Sequence, residues 1–204
     1  TIGNLLTANQ ASVETDLTGW YGHTNSGYGA NTDLTYDDTT AAHGAACVKV
    51  AAVGAGLYGA ATSKVSGHVG AVAVVGGTTY TCTCEVRSIT GTGPTVRIEI
   101  AYWSGADFLA YGASANVVAT ESWQRLAVTS VTPAGATHAA ITLYSDATGA
   151  GEGFRVDKAS IHAGAGGLWV PPGVPVPNLG IRANPANPTQ VQVGNPGNAT
   201  WITV

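Results

Sequence analysis

Cys82 and Cys84 stand two positions apart in TYTCTCEVRS (79–88). Thiols this close could hold a metal or exchange electrons. Zinc takes thiolates from CxxC-type pairs completed by further Cys or His. Here Thr83 alone separates the pair, no His lies beside it, and Cys47 is far upstream. With three cysteines at most one disulfide could close, and nothing resembles a short cysteine-dense framework. Period two gives the better reading. Tyr80, Cys82, Cys84 and Val86 alternate with Thr79, Thr81, Thr83, Glu85 and Arg87. That pattern predicts a half-buried antiparallel strand with both thiols in a core, where Cys behaves as a small hydrophobe.

Other chemistry is equally thin. The five His are scattered singly, without HExxH spacing, and no GxSxG nucleophile elbow occurs. Gly54, Gly56 and Gly59 fit a GxGxxG, but Thr/Ser/Val-rich sequence follows where a helix should be. Glu14, Asp16, Asp33, Asp37 and Asp38 read as solvated loop acids rather than the paired carboxylates of a glycosidase. The expectation is a protein that is not an enzyme.

The elements that must position any site are strands. Of 204 residues 28 are Gly, 45% are hydrophobic and 10% are charged, unlike a helical bundle rich in Leu, Glu and Lys. The net charge of −4, with no basic cluster, argues against nucleic acid, and no stretch reads as a signal peptide or membrane span. Thr1 fits either removal of an initiator Met or a trimmed chain. Alternation recurs in PTVRIEIAYW, where Val96, Ile98, Ile100 and Tyr102 share one face. It recurs less cleanly in 46–53, 57–65, 122–132, 137–145 and 152–163, with turn signals such as PAGA and ATGAG between. About eight to ten short strands predict an all-β fold over 1–163, a two-sheet antiparallel sandwich or jelly roll. From 164 to 204 the chain is rich in Pro, Gly and Asn and reads as an extended C-terminal arm. Such an arm has no core of its own and is expected to serve attachment or oligomerisation, with TQVQV or TWITV pairing at an edge.

One polar face could bind a sugar. Trp103 lies opposite Val96, Ile98 and Ile100, together with Arg97 and Glu99. Arg87 lies on the polar face of the preceding strand, and Tyr144 could extend the patch. A ring can stack on a sugar's apolar face while polar groups meet its hydroxyls. The competing reading packs Trp103 under a loop.

Taken together, NLLTANQASVETDLTGWYG, HGAACVKVAA, VVGGTTYTCTCEVRS, ESWQRLAVTSVTPAGATHAAITLYSD and GFRVDKASIHAG resemble the jelly-roll carbohydrate-binding modules of families four, nine and twenty-two. The likeness runs over 4–163 and is greatest to versions in tail and capsid-surface proteins of actinobacterial phages. It implies a structural Ca²⁺ held by Glu14 and Asp157. The family's closing acid pair is here Asp157-Lys158, which departs from a two-acid site. The rival reading is an exposed Glu and an Asp hydrogen-bonded in a bulge. The resemblance implies Trp20 and Trp123 in the core. It further implies a non-enzymatic virion protein, in capsid decoration or a minor tail position, assembled in the host cytoplasm. Its partners would be other virion proteins through 164–204, copies of itself, and a cell-surface polysaccharide. The alternative is a binding module of a secreted polysaccharide-degrading enzyme.

Overall fold

The computed structural model describes residues 3–23, 30–64, 68–91, 93–165 and 169, and the backbone of 180–184, 187–195 and 200–203. Two antiparallel sheets face each other across one core. The first runs β1 (Tyr21–Gly22), β4 (Gly56–Ala61), β10 (His138–Ala147), β7 (Thr95–Ser104), β8 (Asp107–Val118), and β5 (Val72–Ala73) also pairs with β10. The second runs β2 (Thr32–Asp37), β3 (Cys47–Ala52), β11 (Gly153–Ala163), β6 (Thr79–Ser88), β9 (Gln124–Val131). This is the all-β sandwich that the alternation predicts, in the jelly-roll form that the resemblance implies. Among the described residues no helix is long and apolar enough to cross a membrane.

The strands form where side chains alternate. Val96, Ile98, Ile100 and Tyr102 of β7 and Ile141 and Leu143 of β10 face Val86, Phe154, Val156 and Ile161 of the other sheet, all fully buried. Each such aliphatic or aromatic side chain contributes about 1.5–3 kcal/mol. Cys82 and Cys84 point into this core as the alternation predicts, and burial pushes both thiols well above their ordinary range. Cys47 is buried too, on the outer side of its sheet, with its thiol pushed up to about 12 by burial and then by Asp37.

Two further features pin the ends of the sandwich. A four-residue helix, α1 (Ala8–Ala11), opens with a capping box in which Thr7 and Gln10 serve each other's backbone N–H. Ahead of it, Leu5 N–H donates to Ile161 O at 2.8 Å, and the Asn4 amide donates to Ala159 O at 2.9 Å. The first residues thus lie along β11, the last strand of the sandwich.

The C-terminal region is not wholly extended. β12 (Gly180–Asn184), β13 (Asn187–Asn195) and β14 (Thr200–Thr203) form a three-stranded antiparallel sheet of their own. TQVQV lies in its central strand, where Gln192 and Val193 are paired with both β12 and β14. TWIT is the edge strand β14. Trp169 rests on the sandwich, its ring 4.7 Å from that of His43.

Candidate functional site

The outer face of the first sheet is built from aligned rows. Gly59, Tyr144, Arg97 and Asn116 form one row, and Ala61, Thr142, Glu99 and Ser114 the next. Then follow Ala140, Ala101 and Tyr111, and last His138, Trp103 and Phe108. The sheet therefore gathers Arg97, Glu99 and Tyr144 as the sequence predicts. Arg97 Nη2 lies 2.6 Å from Glu99 Oε1, and its guanidinium stands 5.6 Å over the Tyr144 ring. Burial pushes the Tyr144 phenol up to about 12, with the Glu99 charge adding to it. Burial and then Glu99 also raise Tyr111. Two phenols thus stay neutral donors around one carboxylate. Phe108 and Tyr111 continue the aromatic surface, 4.9 Å apart and 44% and 38% exposed. Gly59 makes room for this row, because a Cβ there would stand 2.1 Å from Leu143 O.

The alternation predicts neither Phe108 and Tyr111 nor their strand. β8 carries two register shifts against β7, so its side chains never alternate cleanly in the sequence. The aromatic-rich run FLAY after a Gly-containing turn was the available signal.

Two predicted site residues are corrected. Trp103 is not an exposed platform: it is 2% exposed, packed with Ala101 and Ala140 under Ala71. Ala71, just ahead of β5, packs over this cluster and helps to cover the ring. Arg87 is not on this face at all. Although β6 and β7 are consecutive, the chain crosses between sheets, and Arg87 donates to Thr40 Oγ1 at 2.9 Å on the far side of the sandwich. Trp20 is a core residue as expected, whereas Trp123 is only half-buried.

Glu14 and Asp157 do come together, since the Glu14 charge adds to the burial that raises the Asp157 carboxyl. Their oxygens are already engaged by donors. Glu14 Oε1 accepts from Ser12 Oγ at 2.6 Å and Oε2 from Ala45 N–H at 2.8 Å. Asp157 Oδ2 accepts from the N–H groups of Ala42 and His43, each at 2.8 Å, and Oδ1 from Lys158 N–H at 2.6 Å. Asp157 opens the bulge in β11, where Lys158 takes φ 51° and reaches Glu85 at 3.1 Å. Calcium wants six to eight oxygens with lone pairs turned inward. N–H groups point their positive ends at the same carboxylates. Among the described residues, moreover, no group of three acid, His or Cys side chains could hold an ion. The donor set does not fit a calcium cage. It fits a latch that ties loop 42–45 to both ends of the sandwich. Chelation is accordingly expected to leave the melting temperature unchanged. A rise of several degrees on adding millimolar Ca²⁺ to chelated protein would restore the ion, because a ligand bound only to the native state stabilises it.

No protein-family model matches the chain, and no curated protein matches it in sequence. Solved structures do. The CBM22-1 xylan-binding domain from Paenibacillus barcinonensis Xyn10C matches over 75% of this chain and 91% of its own, at 16% identity and a TM-score of 0.54. The likeness is one of fold. The CBM22-1 and GH10 modules of Clostridium thermocellum xylanase 10B, complexed with xylohexaose, match over 75% of this chain at 18% identity and a TM-score of 0.57. The enzymatically active domain of bacteriophage CBA120 tailspike protein 4 matches over 78% at 11% identity and a TM-score of 0.59. The chain spans only 28% and 21% of those two longer proteins.

Proposed function

We propose that the sandwich is a non-catalytic glycan-binding module whose outer face on the first sheet takes a neutral polysaccharide. One observation carries this reading. Tyr144, Tyr111 and Phe108 line a face on which the charges of the central rows, Arg97 and Glu99, neutralise each other at 2.6 Å. Rings accept the C–H faces of sugars, and a fixed cation–carboxylate pair reads their hydroxyls. No excess cation is left on those rows to select a uronate or sulfate. The likeness to xylan-binding domains makes xylan the first polymer to test.

Truncating an aromatic anchor costs about 2 kcal/mol, roughly thirty-fold in affinity. Tyr111→Ala and Tyr144→Ala are expected to weaken binding by that order in affinity electrophoresis, with little change in melting temperature. Should wild type retain full mobility through xylan, cellulose derivatives and mixed-linkage glucans alike, the reading fails.

A second proposal concerns the carrier. The tailspike likeness favours a virion protein, a homo-oligomer attached to other virion proteins through 164–204. The xylanase modules favour a secreted enzyme. Antibody labelling of purified phage particles separates the two, since unlabelled particles would remove the virion reading.

A further inference from the structure

Residues 68–71, just ahead of β5, lie on the outer face of the first sheet, where the buried Gln10 amide donates from Nε2 to Gly70 O at 2.8 Å, a bond that any release of the segment must break. Lys64 N–H donates to Val69 O at 2.9 Å, and Ala71 N–H to His68 O at 2.9 Å. Ala71 packs on the cluster of Trp103, Ala101 and Ala140. His68 stacks on His138 with ring centroids 4.1 Å apart and planes 31° apart. His138 is the cross-strand neighbour of Trp103, and its Nδ1 is 2.9 Å from Thr137 Oγ1. His68 itself is held at φ 51°, costly for a residue with a Cβ. Its Nδ1 is buried without a hydrogen-bond partner.

We propose that this imidazole stack holds residues 68–71 closed over Trp103 while both rings are neutral, and that double protonation releases them, uncovering Trp103 as a further stacking surface. Neutral imidazoles stack readily, but two imidazolium rings at this separation repel in a half-buried setting. A proton on His68 Nδ1 would also be a buried donor with no acceptor. Thr137 Oγ1 can accept from a protonated His138 Nδ1, which leaves the mutual repulsion of the rings and the unpartnered His68 Nδ1 uncompensated. The titratable groups of the surrounding elements are Tyr21 of β1, Lys64, with its ammonium 5.4 Å from the Tyr21 ring, and Asp107 and Tyr111 of β8. Among the described residues none of these forms an ion pair or hydrogen bond with either imidazole. Burial, with the His68 charge adding to it, also holds His138 below the ordinary histidine range. The folded value lies below the unfolded one, so the closed form is favoured above about pH 6.5 and loses ground as the pH falls.

Release stands on this geometry alone, whereas the use of Trp103 as a subsite rests on the glycan-binding reading above. The test is acrylamide quenching of a variant in which Trp103 is the sole tryptophan, at pH 7.5 and 5.0. The quenching constant is expected to rise about threefold or more at the lower pH, and His68→Gln is expected to abolish that step. A companion variant keeping only Trp20 is expected to stay shielded. In the unmodified protein, hydrogen exchange of the 68–72 amides, corrected for intrinsic rates, is expected to show the same loss of protection. Unchanged protection of these amides, a step that survives His68→Gln, or a step shared with Trp20 overturns the proposal. If protection falls but xylan affinity does not rise with it, release holds and the subsite is wrong. If no polysaccharide binds at either pH, the glycan reading has failed on its own.

Discussion

Asp37→Ala is expected to cost about 3–5 kcal/mol of stability, because it strands a buried guanidinium. Arg155 Nε donates to Asp37 Oδ2 at 2.7 Å, and the two side chains are only 14% and 7% exposed. Arg155 keeps two contacts of 3.3 Å to the carbonyls of Ser88 and Ile89, which do not neutralise its charge. Asp37 also accepts from Thr39, so the substitution frees two segments at once. Burial pushes the Asp37 carboxyl up, but the hydrogen bonds from Thr39 and Arg155 outweigh it and hold the group below its usual range. With the folded value below the unfolded one, the stabilisation is present above about pH 4 and is lost as the pH falls through the folded value. Urea denaturation of wild type and Asp37→Asn between pH 6 and 3 checks both points. The variant should start lower and show a shallower acid decline; equal midpoints at pH 6 would show the pair to be dispensable.

Gln10→Ala is the second large expected loss, about 2–4 kcal/mol. The side chain is 2% exposed and joins four segments. Its Nε2 donates to Thr62 O and Gly70 O, each at 2.8 Å, and reaches Gly19 O at 3.4 Å, while Oε1 accepts from Thr7 N–H at 3.1 Å. Removing it leaves buried carbonyls without donors and opens the capping box of α1. Gln10→Glu tests the chemistry at constant shape: the Nε2 donors vanish, and a carboxylate faces those carbonyls. Both variants should melt well below wild type, and Gln10→Glu should recover part of the loss on acidification. A wild-type melting temperature in Gln10→Ala would mean that the apolar contacts of α1 suffice.

Local alternation disclosed the strands whose two faces meet different surroundings. β6 and β7 lie nearly where the alternation puts them, because one face of each is lined by the apolar core, although the outer face is also buried at Thr81, Thr83, Glu99, Ala101 and Trp103. β8 was hidden because its bulges break the period. What period two does not encode is the sheet that a strand joins, so Arg87 and Trp103 looked like neighbours and lie on opposite sides. Nor does it show what lies above a face. Trp103 has the right neighbours for a platform and is roofed by a segment distant from it in the chain. Asp37 looks like a solvated acid in the sequence because its partner, Arg155, is remote in the chain and adjacent only across two strand pairings. The resemblance sets Glu14 beside Asp157, but most of their donors are backbone N–H groups, of loop 42–45 and of Lys158, which residue types do not reveal.

The pairing of Leu5 with Ile161 has a topological consequence. Entry to the sandwich and exit from it share one border. A host chain could be opened at a single surface turn and receive the whole sandwich as a cassette, with its own two halves kept close together. The same border makes chain order a weak constraint on this fold: bridging β11 back to residue 4 needs only a short span, and the ring so formed could be cut at another exposed turn with every strand pair of the sandwich intact.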